Sequence, residues 1–507
     1  MSIPTAARAL AATLLGVDAR PIQVEALLDP DSSSLRVIGL SEAAARETRA
    51  RVQAALRSLD LPPKGILINL TPSSFPKEPG LLDLAIALAV LVAHGRLPQE
   101  ALDQRLIVGE LTLDGDVLPV RGSLAIADLA LGMGVRELLL PLENVPAAAC
   151  LTGVPSLIGI RQLHQAIEHL TGLTAIPPAH PSTSLQASEA PHVDLSEVRG
   201  QEGSKRALEI AAAGGHPLLL LGPPGGGKTM LARRLPSLLP PPTEREAVAL
   251  TRIESLVTLD PQVGLSRTRP FRCPHSGTSL VGLLGGGTPT RPGEVTLAHL
   301  GVLFLDDVPE FARATLEALR QPLDEQTVRI YSSQTWITLP ASFQLIAAMS
   351  ACPCGRLGDH RYACNCSPAF VDRYRARLSP TLSSRIQISA EVPAIRMDEI
   401  RSPAGESSAA IAARVATVRR VQAARFPADA VQPLNAAMTD QQLEIHCGLD
   451  IPGKALLSAA SEKLGLSFSQ AQRYLKVART IADLSGSDSI RASHLAEALQ
   501  YRFPSRS

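Results

Sequence analysis

Eight residues constrain this chain more than any others: Gly222-Pro223-Pro224-Gly225-Gly226-Gly227-Lys228-Thr229. The apolar run Leu218 to Leu221 precedes them, and Met230-Leu231-Ala232-Arg233-Arg234 follows. That is strand, glycine-rich turn, helix. In this context the glycines let backbone N–H groups close around phosphates, and the new helix aims its positive N-terminus at them. Lys228 then reaches the β and γ phosphates, and the Thr229 hydroxyl binds Mg²⁺. The same glycines in a loop without a strand before them and a helix after would imply nothing of the kind.

A second segment supports this assignment. Gly301-Val302-Leu303-Phe304-Leu305-Asp306-Asp307 is a hydrophobic run ending in two carboxylates. It reads as a buried parallel strand with acids at its C-terminal end, where ligands bind in open α/β sheets. Asp306 is placed to hold Mg²⁺ through water, and Asp307 to orient or polarise an attacking water.

Composition adds bounds. A chain of 507 residues predicts two to four domains. Aromatics are only 3%, so the cores are built from Leu, Val, Ile and Ala. A net charge of +1 predicts no basic glove for nucleic acid, although a local groove can be basic in a neutral protein. The apolar stretch Leu81 to Ala93 contains Asp83 and is too short to span a bilayer. The N-terminus lacks a signal-peptide pattern, and seven cysteines do not suggest a secreted disulfide scaffold. These points place the protein in the cytoplasm, without a membrane partner.

The expected organisation has four parts. Residues 1–170 form an α/β block with strands at Ile66–Leu70, Leu106–Val108 and Glu137–Pro141 and helices at Glu42–Leu59, Leu81–His94 and Leu124–Leu131. Residues 171–192 form a linker, marked by Pro177-Pro178-Ala179-His180-Pro181-Ser182-Thr183-Ser184. Residues 193–393 hold the phosphate-binding motifs. Residues 394–507 read as helical, with Arg414, Arg419, Arg420 and Arg425 on a solvated face.

The P-loop, the acidic strand end and the helical C-terminal block together resemble an AAA+ ATPase. More closely, the chain resembles the ComM (YifB) family of magnesium-chelatase-like AAA+ proteins over nearly its whole length. The resemblance rests on Asp194-Leu195-Ser196-Glu197-Val198-Arg199-Gly200-Gln201, the P-loop, Arg291-Pro292-Gly293-Glu294-Val295, Gly301 to Phe311, Cys352-Pro353-Cys354-Gly355, Arg373 to Ser379 and Val477 to Leu484. It implies an ATP and Mg²⁺ site, a P-loop core with a parallel sheet, a helical lid and a homo-oligomeric ring, expected as a hexamer. It further implies a DNA motor for branched or single-stranded intermediates in natural transformation. The rival reading is an ATP-dependent assembly or chaperone module, like the magnesium-chelatase I subunit, without DNA translocation.

The first block resembles the Lon-protease-like domain of that family through Lys77 to Leu84 and Val108 to Gly115. Such a protease needs an activated serine, but Gly80-Leu81-Leu82 stands at the turn. The block is therefore expected to be proteolytically inactive. By the same resemblance Arg385 lies where the family has an arginine finger for a neighbour's γ-phosphate. Ser384 and Gln387 replace the acids that flank it. Asp307 stands in place of a glutamate, Ser350 in place of a sensor asparagine, and Ser469 in place of a lid arginine that Arg473 could substitute. Because a displacement of about 1 Å can cost about a hundredfold in rate, nucleotide binding is the firmer expectation and hydrolysis the weaker one.

Cys352-x-Cys354 and Cys364-x-Cys366 bracket nine residues. Two such pairs can present four thiolates to one structural Zn²⁺ and leave no open position for catalysis. The family's pore elements correspond here to Arg267–Glu294 and to the hairpin Thr327–Thr338, which make Arg267, Arg269, Arg272, Arg291 and Arg329 available to phosphates. The only tryptophan, Trp336, could stack on bases, but a tryptophan is more often packed, and Trp336 is expected to be so.

Overall fold

The computed structural model describes residues 6–503, apart from 30–31, 33, 60–64, 180–192, 259–263, 288–289, 333–334, 397–398, 400, 402 and 428–429. Most of the expected linker lies outside the described residues. The first apolar segments are β1 (Ala7–Leu15), β2 (Asp18–Asp29), β3 (Leu35–Ile38), β4 (Gly65–Thr71) and β5 (Arg105–Ile107). A small ribbon of β6 (Glu110–Leu111) and β7 (Val117–Leu118) follows, then β8 (Glu137–Pro141) and β9 (Ser156–Ile160). Seven of these make one sheet in the order β3-β4-β2-β1-β5-β8-β9. It is mixed: β1–β2 and β2–β4 are antiparallel and the remaining pairs parallel. The β1–β2 hairpin was not anticipated. Its alternation is muted because the buried positions of β1 are mainly alanines, including Ala7, Ala9 and Ala11.

The helix Asp83–Ala93 is buried over nearly its whole length against this sheet. That explains the apolar stretch as core. No helix among the described residues is long and apolar enough to cross a membrane. Asp83 is fully buried and pairs with Arg51 at 2.6 Å. Burial pushes its carboxyl up to about 6, against the pull of Arg51.

The second half builds a different sheet. Its strands are β10 (Leu218–Leu221), β11 (Phe271–Arg272), β14 (Val302–Leu305), β17 (Gln344–Met349) and β18 (Ile388–Glu391). Their order is β11-β14-β17-β10-β18, and every pair is parallel. All residues of β10, β14 and β17 are buried, as in a sheet covered on both faces. Two ribbons project from it: β12 (Gly285–Gly286) with β13 (Arg291–Pro292), and β15 (Thr327–Ser332) with β16 (Thr335–Pro340).

The C-terminal helices are Ser408–Ala423, Asp440–His446, Ile451–Leu464, Phe468–Leu484 and Ala492–Gln500. They share one hydrophobic cluster with the inner face of the parallel sheet. His216 fastens the two parts: one ring nitrogen meets Gln387 Oε1 and the other Thr480 Oγ1 at 2.7 Å. Of the arginines expected on a solvated face, Arg414 and Arg420 are exposed, whereas Arg419 and Arg425 turn inward. Arg414 pairs with Glu209 at 2.7 Å, Arg425 with Asp483 at 2.6 Å, and Arg419 donates to the Ala212 carbonyl at 2.6 Å. Their acceptors lie up to 207 residues away, so charge along one helix could not reveal them.

The N-terminal sheet packs on the half that carries the parallel sheet through specific bonds. Arg252 reaches Asp128 at 2.6 Å and Asp18 at 3.1 Å. The Gly122 N–H donates to the Ser255 carbonyl at 2.9 Å. Gly16, at the β1–β2 turn, approaches Ile337 of β16 so closely that a Cβ would sit 2.7 Å from its Cγ2.

Candidate nucleotide site and cysteine cluster

Parallel pairing brings the C-terminal ends of β10, β17 and β14 side by side. Gly222 follows β10, Ser350 follows β17 and Asp306 follows β14. The loop Gly222 to Gly227 leads into the short helix Lys228–Ala232. Gly227 has φ +94°, which a side chain would resist. Gly222 runs against the Val392 carbonyl; a Cβ there would meet its oxygen at 2.0 Å. Pro223, Pro224, Gly225 and Gly226 complete the turn, and Gln201 holds it from behind. The Gln201 amide donates to the Pro393 carbonyl at 2.7 Å and to the Gly226 carbonyl at 3.3 Å.

The Lys228 ammonium donates to the Gly222 and Pro223 carbonyls at 2.8 and 3.0 Å. Burial lowers its pKa, while Asp307 and Asp306 oppose the shift. It therefore has only neutral acceptors at bonding distance, and a phosphate would supply a better one. The Thr229 hydroxyl donates to Asp306 Oδ2 at 2.7 Å. This pair is the donor set a Mg²⁺ of a P-loop site uses: one hydroxyl and one carboxylate beside the phosphates. Asp307 has φ +49°, a left-handed backbone conformation at the end of the strand. Burial, then the like charge of Asp306, raises its pKa.

Ser350 is not an isolated short substitute. Tyr374 hydrogen-bonds to it, and the Tyr374 phenol, raised mainly by burial, also feels Asp307 and Glu310. Tyr374, 24 residues along the chain, therefore adds a polar group at the end of β17. It lies within the segment Arg373 to Ser379. A buried-facing tyrosine among arginines was the available signal.

The four cysteines converge. Cys352, Cys354, Cys364 and Cys366 place their sulfurs within 4.8 Å of one another. Cys352 to Cys354 is 3.3 Å, and Cys364 is 3.6 Å from each. Four sulfurs at about 2.3 Å from a tetrahedral zinc stand about 3.8 Å apart, so the set fits that ion. A backbone N–H from Arg356 is the first cause that pulls the Cys354 thiol down to about 6, toward the thiolate a metal needs. The cluster also abuts the nucleotide loop: a Cβ on Gly355 would lie 2.7 Å from Pro224 Cδ.

Arg385 lies apart from these groups. Its guanidinium donates to Asp324 at 2.7 Å and to the Thr381 carbonyl at 2.7 Å. Arg473 donates to the Ser383 and Ile386 carbonyls at 3.3 Å, next to Arg385. Its hydrogen bonds, to the Ser469, Ser383 and Ile386 carbonyls, do not reach the P-loop of its own chain.

Comparison with known proteins agrees with this geometry. Residues 194–400 match the model for magnesium chelatase subunit ChlI, 405–502 its C-terminal part, and 24–144 a further ChlI model. YifB of Escherichia coli, itself uncharacterized, is 41% identical over 493 residues, covering 96% of this chain and 95% of the relative. The competence protein ComM of Haemophilus influenzae is 39% identical over 496 residues, covering 96% of each. The chain belongs to the magnesium-chelatase-like family that includes YifB and ComM. That membership carries a mixed α/β architecture with a parallel sheet and a helical C-terminal region, and points to ATP and Mg²⁺ as the ligands of this site.

Two expectations about the projecting elements need correction. Trp336 is 67% exposed and not packed. It stands on the hairpin opposite Tyr331, which is 60% exposed, with ring centroids 5.1 Å apart. Arg269 and Arg272 are not available to phosphates. Arg269 pairs with Glu246 at 3.0 Å and Arg272 with Glu294 at 2.7 Å. Arg267, Arg291 and Arg329 stay exposed.

Proposed function

We propose that this chain is an ATP-driven, ring-forming motor that acts on branched or single-stranded DNA, of the branch-migration type. In this reading residues 193–393 are the AAA+ core and residues 394–507 the lid. Residues 1–170 are a Lon-protease-like domain without protease activity, kept for assembly, and residues 171–192 link it to the core. ATP and Mg²⁺ sit on Gly222–Thr229, Asp306 and Asp307, and a structural zinc on the four cysteines. Arg385 serves a neighbour's nucleotide in a ring expected as a hexamer. Its distance from its own P-loop's bonding network suits that role.

One observation carries DNA over the assembly module: the exposed Tyr331–Trp336 pair on the β15–β16 hairpin, with Arg329 exposed beside it. Two adjacent aromatic rings held in water have no packing purpose, and aromatics stacking on bases contribute about 1–3 kcal/mol per base. The name of the relative ComM, a competence protein, agrees with DNA as the substrate. Asp307 and Ser350, both shorter than the family's residues, favour the assembly module.

Gel shifts with single-stranded, duplex and four-way DNA in the presence of ATP separate the two. Trp336→Ala should weaken single-strand and junction binding about tenfold. Arg329→Ala should weaken all DNA alike and reduce the salt slope by about one. Absence of binding to all three at low salt would leave the assembly module as the better reading.

A further inference from the structure

We propose that a recess between the N-terminal sheet and the ATPase half is a second anion site, separate from the P-loop, which takes the phosphate group of a small molecule. The recess has a volume of about 510 Å³. The N-terminal side supplies the β1–β2 turn at Leu14–Gly16, the first turn of the helix Glu42–Ala55, and Lys77–Pro79. The ATPase side supplies Thr290–Pro292 and Ile337 of the projecting ribbons.

Three cations line it: Lys77, Arg121 and Arg291. The Lys77 ammonium is enclosed, yet it has no hydrogen-bond partner among the described residues. Burial lowers its pKa. Arg121 and Arg291 attract Glu78 only from a distance. Neither forms an ion pair within 4.0 Å among the described residues. The other carboxylate at the recess, Glu47, lies 4.0 Å from Arg51. The lining thus carries three cations against two carboxylates, Glu47 and Glu78, and Glu110 acts on Glu78 from nearby.

Among the described residues the Lys77 ammonium has only the face of the Phe75 ring, 5.7 Å from its centroid, to offset its enclosure, and that cost falls further when an anion binds beside it. Phosphate suits the set because its several oxygens can accept from one ammonium and two guanidiniums at once. The other walls are apolar, including Leu14, Leu256, Pro292 and Ile337. A recess of this size and mixture fits a small molecule with a charged head and an apolar body. The ligand is therefore a phosphate monoester, with free phosphate as the alternative source of the same chemistry. Because Arg291 and Ile337 belong to the two projecting ribbons, an occupied recess would tie those ribbons to the N-terminal sheet.

Calorimetric titration tests this. Protein saturated with Mg²⁺ and ADP, so that the P-loop is filled, is titrated with phenyl phosphate, inorganic phosphate and phenol. One phenyl phosphate should bind per chain, and phenol should give no heat. The Lys228→Ala protein should give the same result without nucleotide. Lys77→Gln should weaken phenyl phosphate at least tenfold, and Lys77→Arg should retain it. Arg291→Gln, at an exposed side chain, gives a second loss that does not depend on Lys77. Tighter binding of phenyl phosphate than of inorganic phosphate assigns the ester; the reverse order assigns the free ion. No saturable binding of either, or equal binding by wild type and a Lys77→Gln protein with unchanged melting temperature, overturns the proposal.

Discussion

The Thr229 hydroxyl and the Asp306 carboxylate meet at 2.7 Å, which joins the P-loop helix to the end of β14. Lys228, the residue before Thr229, bonds only to the carbonyls of its own loop. The groups that would grip a nucleotide are therefore positioned by the fold itself. Lys228→Ala should weaken Mg-ATP binding at least tenfold, about 1.4 kcal/mol, as read by isothermal titration. Equal affinity in mutant and wild type would remove the nucleotide assignment.

Asp307 is a methylene shorter than a glutamate, and it leaves its strand with φ +49°. A water held by it is expected to stand too far from the γ-phosphate. Asp307→Glu should raise turnover about tenfold, since small displacements at the reacting centre are costly. A wild type that already turns over at about ten per second would show that the shorter side chain is no handicap.

The cysteine cluster should hold one zinc per chain, with an apparent free energy of about 10–16 kcal/mol as in small zinc domains. Because Gly355 lies against Pro224, metal loss should reach the nucleotide loop. A chelator should lower both the melting temperature and the ATP affinity, and Cys364→Ser should reproduce both effects. Elemental analysis that finds no zinc, with an unchanged melting temperature, would rule the cluster out as a metal site.

Stability should fall on mild acidification. Burial holds both His216 and His299 down to about 4, from an ordinary value of 6.5. Between pH 6.5 and 4 the unfolded chain binds these protons and the native state does not, so stability drops as pH falls through that window and levels off above it. Each histidine contributes about 3 kcal/mol at most. Asp83, raised to about 6, acts in the opposite sense, because the native state takes its proton first between pH 6 and 3.8. Urea midpoints at pH 7.5 and 5.0 should differ for wild type and differ less for His216→Gln. Equal pH slopes in the two proteins would show that His216 is not a source of the dependence.

The site was legible where its chemistry is local. Gly222 to Thr229 is one turn between a strand and a helix, and backbone conformation over eight residues is decided by which of them are glycine. The acids after β14 and the paired cysteines were readable for the same reason. What remained hidden were partners across the chain. Arg269 and Arg272 read as free cations in sequence, whereas in the fold they pair with Glu246 and Glu294. Tyr374 acquires its place only because its phenol bonds to Ser350 at the end of β17.

The sequence by itself determined the phosphate-binding loop, the acidic strand end, the four-sulfur set and the α/β class, because each follows from residue type at short spacing. Tertiary structure alone decided that Thr229 meets Asp306 across 77 residues, that the cysteine loop backs onto Pro224, and that Trp336 stands in solvent. Those outcomes depend on which strands pair and in what register. Strand order and register are settled by burial of the whole sheet, and no short window of sequence contains that information.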